Sequence, residues 1–564
     1  MQRNDRDILL TFSGTNHPVL ATTAAGGLEG NYLNCHDLAF ILSFIKDGSI
    51  TERLYQRRIA DAASTVSTLV VLPTGLGKTV IALLVIDVIL QSPGSKVLFM
   101  APTKPLVEQH YAFLRERLTI DPELMSLMTG ETAPEHRPEL WNKPRIVVST
   151  PQVVENDVSS GLCDLSSFSL LVFDECHRAK GDYSYVHISE VYSGVRERGL
   201  VLGMTASPGS DLVSVEEICR TLNIEHIEVR SEDDPDVEPY VQETAVKWVP
   251  VELSQELRDI SRELKSMLSE RVEKLRHLQL IPQDSQGSTK DLLGAGRELS
   301  SRLSAGMKHR ILFDSMRIQS EAVKLSHGVD MAETQTVFAL RRYVQKLQEE
   351  AEGKSSKASR SIVADERFQL VVDMLSKITA EHPKISKLTQ IIGEQLAANP
   401  SGRIMVFTQF RDTAEIVYRT LSGPGAAKPI KLIGQSARRD ERGLKQKEQI
   451  DVISRFSSGE ANVLISTSVG EEGLDITSTD MVVFYETVPS EIRSIQRRGR
   501  TGRLSSGKVF VLVTKGTKDE GFYYSSLRKE NSMKAALMSL NARLSRGAKM
   551  SELTEPKQKS LFDY

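Results

Sequence analysis

The sequence predicts an α/β protein: two parallel-sheet lobes with an all-helical domain inserted between them. Three observations carry that prediction. Short β-rich apolar runs alternate with helical stretches from about residue 54, and again from about residue 402; this is the pattern of parallel strands covered by crossover helices. Between the two blocks, residues 251–278 and 310–352 instead repeat apolar residues at helical spacing among many charges. Phosphate-handling residues directly follow several of the β-rich runs, where open α/β sheets place their ligands.

Taken in order, residues 1–50 carry no strong pattern and read as an N-terminal extension. The first lobe, 51–239, takes strands from residues 68–72, 96–101, 146–149, 170–174 and 199–205. The helical insertion, 240–395, is interrupted by glycine- or serine-rich stretches at 287–296 and 353–361, which read as exposed turns. The second lobe, 396–545, takes strands from residues 403–408, 431–433, 463–466, 481–485 and 508–513. A tail, 546–564, follows.

A chain of 564 residues is too long for one ordinary core. Its hydrophobic content of 40% and charged content of 26% fit a globular protein. The net charge of −3 gives no bulk argument for nucleic-acid binding, so any cationic track must be local. Cys35, Cys163, Cys176 and Cys219 lie far apart without zinc-ligand spacing, as expected in a reducing compartment. The charged start MQRNDRDILL lacks the apolar run of a signal peptide, and the apolar run 80–90 is interrupted by Asp87 and too short for a membrane span. A cytoplasmic location is expected.

The chemistry begins at LPTGLGKT, residues 72–79. Gly75 and Gly77 sit between an apolar strand and a helix, so backbone N–H groups can close around phosphate while the helix supplies its positive end. Thr74, Gly75, Leu76, Gly77, Lys78 and Thr79 form the candidate nucleotide cradle, with Lys78 on the β and γ phosphates and Thr79 on Mg2+. The full P-loop pattern wants glycine at position 72, where this chain has Leu72. Asp174 and Glu175 close the apolar strand 170–173; Asp174 can hold Mg2+, and Glu175 can orient and deprotonate an attacking water. His177 reads either as a zinc ligand or as a relay, and no companion ligands are spaced for zinc. Gln56 could read an adenine edge through its amide.

The second lobe carries QRRGRTGR at residues 496–503, with Arg500 and Arg503 three apart and Gln496 opening the segment. On a helix the two guanidinium groups would be neighbours able to stabilise charge on a transferring phosphoryl group. Upstream, STSVGEEGLD offers Gly473 and Asp475 to the nucleotide and Thr467 to a nucleic-acid phosphate. Together these elements imply an ATP-driven motor whose site is shared between the lobes. In the insertion, Arg258, Arg262, Lys265, Arg271, Lys274 and Arg276 could face a nucleic-acid backbone or form an ordinary solvated helix face, since Glu256, Glu263, Glu270 and Glu273 are interspersed.

YQRRIA, LPTGLGKT, APTKPLVEQH, STPQ, DECHRAKGDYSY, TASPG, VFTQFRDTA, STSVGEEGLDI and QRRGRTGR, in that order, resemble the superfamily 2 helicases of the DEAH/RIG-I-like type. More narrowly, they resemble the archaeal Hef helicase family with its FANCM and Mph1 relatives. The resemblance implies two RecA-like lobes, ATP and Mg2+ as cofactors, and a catalytic set of Lys78, Asp174, Glu175, Gln496, Arg500 and Arg503, with Gln56 and Thr79 also on the nucleotide. It assigns Pro102, Thr103, Lys104, Thr150, Pro151, Gln409, Gln435 and Thr467 to one nucleic-acid strand, and Thr205 and Ser207 to coupling hydrolysis with lobe movement. It further implies that the helical insertion grips forked or branched DNA. The XPF-type nuclease signature of full-length Hef is not found, so remodelling without cutting is expected, alone or with a separate nuclease. QKSLFDY, residues 558–564, resembles a motif that binds the PCNA sliding clamp, with Gln558, Leu561 and Tyr564 in its pockets. The rival expectations are an RNA helicase or RNA-dependent ATPase with the same motor, and a branched-DNA scaffold with weak motor activity.

Overall fold

The computed structural model describes residues 43–196, 199–209, 212–232, 234–241, 244–307, 309–353, 355–434, 443–467, 479–488 and 507–544. Seven strands form the first sheet: β1 Thr68–Val71, β2 Val97–Met100, β3 Met125–Met128, β4 Ile146–Ser149, β5 Leu170–Asp174, β6 Leu200–Thr205 and β7 His226–Val229. Their order is β3-β4-β2-β5-β6-β1-β7, and every pairing is parallel. Buried on both faces, the inner strands β2, β4, β5 and β6 read as largely continuous apolar runs rather than alternating ones. Helix Lys78–Leu90 is just as apolar because it is packed on nearly all sides, with Ile81 to Ile86 and Leu90 buried. Asp87, which breaks that run, is buried and accepts the N–H of Phe44 at 2.6 Å. The end of the expected extension therefore packs on the first lobe, where Ile45 also bridges Leu118.

The second sheet has the order β10-β11-β9-β12-β13-β8, with β8 Thr244–Val251, β9 Ile404–Phe407, β10 Pro429–Leu432, β11 Val463–Ser466, β12 Met481–Phe484 and β13 Gly507–Thr514. All its pairs are parallel too. β8 was expected to open the helical insertion, yet it lies along the whole of β13 as an edge strand of the second lobe. Helix Pro383–Ala398 likewise buries Leu388, Ile392 and Leu396 in the second lobe's core. The helical bundle itself therefore runs from helix Gln255–His277 to helix Glu366–Lys377. The expected stretch 310–352 is two helices, Arg310–Thr334 and Val337–Glu352, the second capped by the Thr336 hydroxyl.

Within the bundle, Arg262, Lys265, Arg271, Lys274 and Arg276 meet acids of the same bundle, while Arg258 meets Glu252 just before it. Arg271 is 6% exposed and reaches Glu321 at 3.0 Å. Lys265 meets Glu333 at 2.5 Å, Lys274 meets Glu270 at 2.7 Å, and Arg276 donates to the Ser285 carbonyl at 2.9 Å. Arg271 is thus structural, and truncating it would leave the buried Glu321 with Arg317 as its remaining ion-pair partner.

Helix Lys518–Leu544 closes the fold. At its start Lys518 pairs with Asp330 of the bundle at 2.9 Å, and Asp519 forms a buried ion pair with Lys384. Farther along, Met533, Leu537 and Leu540 enter the core of the first lobe, and Arg543 meets Glu216 at 3.1 Å. No helix among the described residues is long and apolar enough to cross a membrane.

His382 lies at the joint between bundle and second lobe and is fully buried. Its Nδ1 accepts the N–H of Lys384 at 3.2 Å, so Nε2 carries the proton and donates to the Glu333 carbonyl at 3.2 Å. Burial, reinforced by the Lys384 charge, pushes its pKa down to about 3. The unfolded chain takes up that proton first, near its ordinary value of about 6.5. Stability from this group is therefore full above that value, falls as pH drops below it, and stops falling near the folded value. Between pH 7 and pH 5 the loss should be about 2 kcal/mol. Urea unfolding followed by Trp248 fluorescence in a Trp141→Phe background should show this loss, and His382→Asn should remove it. An unchanged pH dependence in His382→Asn would contradict the assignment.

Candidate functional site

β1, β6 and β5 lie side by side, with Val71 opposite Thr205 and Asp174 opposite Met204. Their carboxyl ends therefore bring the 72–79 loop, Thr205–Ser207 and Asp174–His177 to one edge of the sheet. Gly75 and Gly77 adopt φ of +88° and +83°, left-handed values that favour glycine. The turn at Gly77 leads directly into helix Lys78–Leu90, so the helix's free N–H groups face the loop.

Gln56 and Tyr55 brace this loop from helix Leu54–Ala63. The Gln56 amide donates to the Leu76 carbonyl at 3.0 Å, and the Tyr55 hydroxyl donates to the same oxygen at 2.6 Å. Gln56 is thus brought to the expected site, but its amide here holds the loop's backbone. Lys78 Nζ donates to the Leu72 carbonyl at 2.9 Å, folded onto its own loop.

Asp174 is 6% exposed, and its Oδ2 lies 2.8 Å from His110 Nε2. Burial alone would raise its carboxyl, but the hydrogen bond and charge of His110, with Lys78 and the Glu175 N–H, hold it below the usual carboxylate range. The Asp174 carbonyl accepts from Tyr185 at 2.8 Å. Glu175 sits at φ +48°, which turns its side chain out of the strand direction. Its Oε2 is buried and makes no hydrogen bond, although His177 Nδ1 lies 3.3 Å away. That nitrogen bonds Thr205 Oγ1 at 3.1 Å, and Thr205 Oγ1 accepts the Ser207 N–H at 3.1 Å. Among the described residues no three His, Cys, Asp or Glu side chains gather as metal ligands, and His177 stands between Glu175 and Thr205.

The residues expected to follow a nucleic-acid strand also occupy strand ends. Thr103 caps helix Lys104–Arg117, and its hydroxyl is buried without a hydrogen-bond partner. Lys104 is engaged by Glu131 at 2.5 Å. Thr150 and Pro151 open the helix after β4. In the second lobe, Gln409 follows β9, its N–H donating to Glu486 at 2.6 Å, and Thr467 follows β11. Gln435, Gly473, Asp475, Gln496, Arg500, Arg503 and the 558–564 motif lie outside the described residues. His110 and Tyr185 were missed as site residues, although both stand inside APTKPLVEQH and DECHRAKGDYSY.

Three family descriptions match successive parts of the chain. "DEAD/DEAH box helicase" matches residues 53–215, "Putative ATP-dependent RNA helicase, helical bundle" matches 254–382, and "Helicase conserved C-terminal domain" matches 383–505. The crystal structure of the Pyrococcus furiosus Hef helicase domain is 41% identical with a TM-score of 0.65, covering 86% of this chain and 100% of that one. A "Putative ATP-dependent RNA helicase" of Methanocaldococcus jannaschii is 41% identical over 88% of this chain and 62% of its own length. The ATP-dependent DNA helicase mph1 of Neurospora crassa is 34% identical over 83% of this chain and 41% of its own. The chain belongs to the Hef/Mph1-like family of superfamily 2 helicases, and it spans roughly two fifths to three fifths of these curated relatives.

A methyl group at position 77 would lie 2.4 Å from Gln56 Nε2, at a backbone angle that L residues rarely adopt. Gly77→Ala should therefore weaken binding of a fluorescent ATP analogue at least about fivefold, as expected from ~1–3 kcal/mol of strain. Adding Gln56→Ala relieves the clash but not the backbone strain, so recovery should be partial. Wild-type affinity in the single variant would show that the loop closes on nucleotide in some other way.

Proposed function

We propose that this chain is the motor of an ATP-dependent DNA helicase or translocase acting on forked or branched DNA in replication-fork repair and recombination. The observation that carries the reading is the convergence of Lys78, Thr79, Asp174 and Glu175 at the ends of adjoining parallel strands, with Thr205 and Ser207 between them.

Lys78, on leaving the Leu72 carbonyl, meets the β and γ phosphates of ATP, while backbone N–H groups of residues 75–79 cradle them. The donor set fits Mg2+: the Asp174 carboxyl is held ionised and the Thr79 hydroxyl stands at the head of the phosphate-facing helix. Bound there, Mg2+ would neutralise charge on the phosphates. Glu175 Oε2, buried and lacking a hydrogen-bond partner, is free to take the proton of an attacking water. Gln496, Arg500 and Arg503 complete the site from the second lobe, with Gly473 and Asp475 beside the nucleotide. Pro102, Thr103, Lys104, Thr150, Pro151, Gln409, Gln435 and Thr467 follow one strand. The bundle biases the motor toward branches, a separate nuclease partners the motor, and residues 558–564 contact the sliding clamp in the cytoplasm.

DNA as substrate is supported by the DNA helicases among the relatives. RNA is the second reading, favoured by the name of the Methanocaldococcus relative and by the description of the helical bundle. ATP turnover should be stimulated most by forked DNA, less by single-stranded DNA and least by duplex RNA. The reverse order would establish the RNA reading. Lys78→Ala should lower turnover more than 100-fold, about 3 kcal/mol of transition-state stabilisation, while DNA affinity stays within a few-fold. Turnover near wild type would remove Lys78 from the mechanism.

A further inference from the structure

Ser207 is 1% exposed, and its hydroxyl lies 3.0 Å from the thioether sulfur of Met533. Met533 is not part of the first lobe by chain order. It belongs to helix Lys518–Leu544, whose start is bound to the second lobe and the bundle. Asp519 accepts the N–H and the hydroxyl of Thr487 at 3.1 and 2.7 Å, accepts the Thr514 N–H at 3.2 Å, and pairs with Lys384. Lys518 reaches Asp330 at 2.9 Å and Ser326 at 3.0 Å. From Asp519 to Met533 the helix climbs about 21 Å at about 1.5 Å per residue. Its next turns seat Leu537 and Leu540 among Val215, Ile218 and Leu222 of the first lobe.

Ser207 is also the end of a continuous row of polar contacts. Glu175 Oε2 lies 3.3 Å from His177, His177 lies 3.1 Å from Thr205, and Thr205 lies 3.1 Å from the Ser207 N–H. A sulfur is a weak acceptor, so the contact contributes little binding energy. What it supplies is position, since the end of an unbranched side chain fills the space against the Ser207 hydroxyl. We propose that Met533 is a positioning residue for ATP turnover: it seats Ser207, and through Thr205 and His177 it sets Glu175 according to where the second lobe holds the helix. The inference rests on the motor reading above and names the element through which the second lobe and its nucleic acid reach the hydrolytic carboxylate.

The test compares Met533→Ala, Met533→Leu and Leu537→Ala in the full chain, with thermal melting, basal ATP turnover and turnover saturated with forked DNA measured for each. Leu537→Ala truncates the same helix in the same apolar cluster without touching Ser207, so it controls for lost packing. Met533→Ala should lower DNA-stimulated turnover at least fivefold more than it lowers basal turnover. Met533→Leu, which refills the space, should restore most of that stimulation. Leu537→Ala should lower the melting temperature as much as Met533→Ala yet keep its stimulation. Should Met533→Ala melt below the assay temperature, Met533→Val keeps much of the volume, withdraws the end of the side chain, and carries the same expectation. Stimulation unchanged in Met533→Ala or Met533→Val, or lost equally in Leu537→Ala, would overturn the inference while leaving the motor reading intact. A wild-type chain that hydrolyses ATP with no response to any nucleic acid would sink both.

Discussion

In a sheet whose strands all run one way, every strand ends on the same edge. Reactive residues placed only at strand ends then meet whatever their separation in sequence. The first lobe depends on this constraint. The P-loop follows β1, the Thr205–Ser207 turn follows β6 and the acidic pair follows β5, and these three strands are neighbours. The same geometry brings Gln409, Thr467 and Glu486 together at the ends of β9, β11 and β12. It also carries a cost. A carboxylate at the end of a fully buried strand is removed from water, and the His110 contact, with Lys78 and the Glu175 N–H, offsets that burial at Asp174.

His110 and Thr103 share a helix. Thr103 caps helix Lys104–Arg117, and two turns later His110 rests on the Asp174 carboxylate. A group that binds at the Thr103 end and tilts this helix would move the hydrogen bond that holds Asp174. Glu175 instead lies 3.3 Å from His177, which bonds Thr205 at the end of the neighbouring strand. The two acids, adjacent in sequence, thus face different elements: one helix Lys104–Arg117, the other the turn at Thr205–Ser207. That division gives separate control of holding a cation and activating a water in the proposed cycle.

Much of this was legible in the sequence because it is local. The apolar runs ending in the phosphate loop and the acidic pair mark β1 and β5, and the glycines at 75 and 77 sit where their φ values require them. What escaped is non-local or weakly patterned. β3, MSLM, has no β-branched residue, and β7, HIEV, is four residues long and only partly buried. β8 contains Pro250 and pairs with β13, far along the chain, so nothing near it announces a strand. The basic residues of helix Gln255–His277 carried two readings, and Arg271 was decided only by the position of Glu321 on another helix. Helix Lys518–Leu544 shows no single apolar stripe because it serves two cores. Tyr523 and Tyr524 pack on Trp248 of the second lobe, whereas Met533, Leu537 and Leu540 face the first. A periodicity that changes sides midway reads as noise.

The joints of the bundle decide which parts can travel together. Gln335 accepts from Thr413 at 2.8 Å and its amide approaches Glu486, His382 bonds the Glu333 carbonyl, Arg342 meets Asp412 at 2.8 Å, and Lys518 reaches Asp330. Several of these groups are buried, so parting bundle from second lobe would strand polar atoms away from water at ~1–3 kcal/mol each. β8 adds a full edge strand bonded along β13 just before the bundle begins. The second lobe and bundle are therefore joined by buried polar contacts on both sides of the insertion. The contacts of the C-terminal helix with the first lobe are of another kind, mostly apolar side chains around Met533, Leu537 and Leu540 with one ion pair at Arg543. Apolar surfaces slide and repack without leaving unpaired hydrogen-bonding groups. The helix thus meets the first lobe through a different kind of contact from the one that joins it to the second lobe, beside the residues that the proposed cycle uses on phosphate.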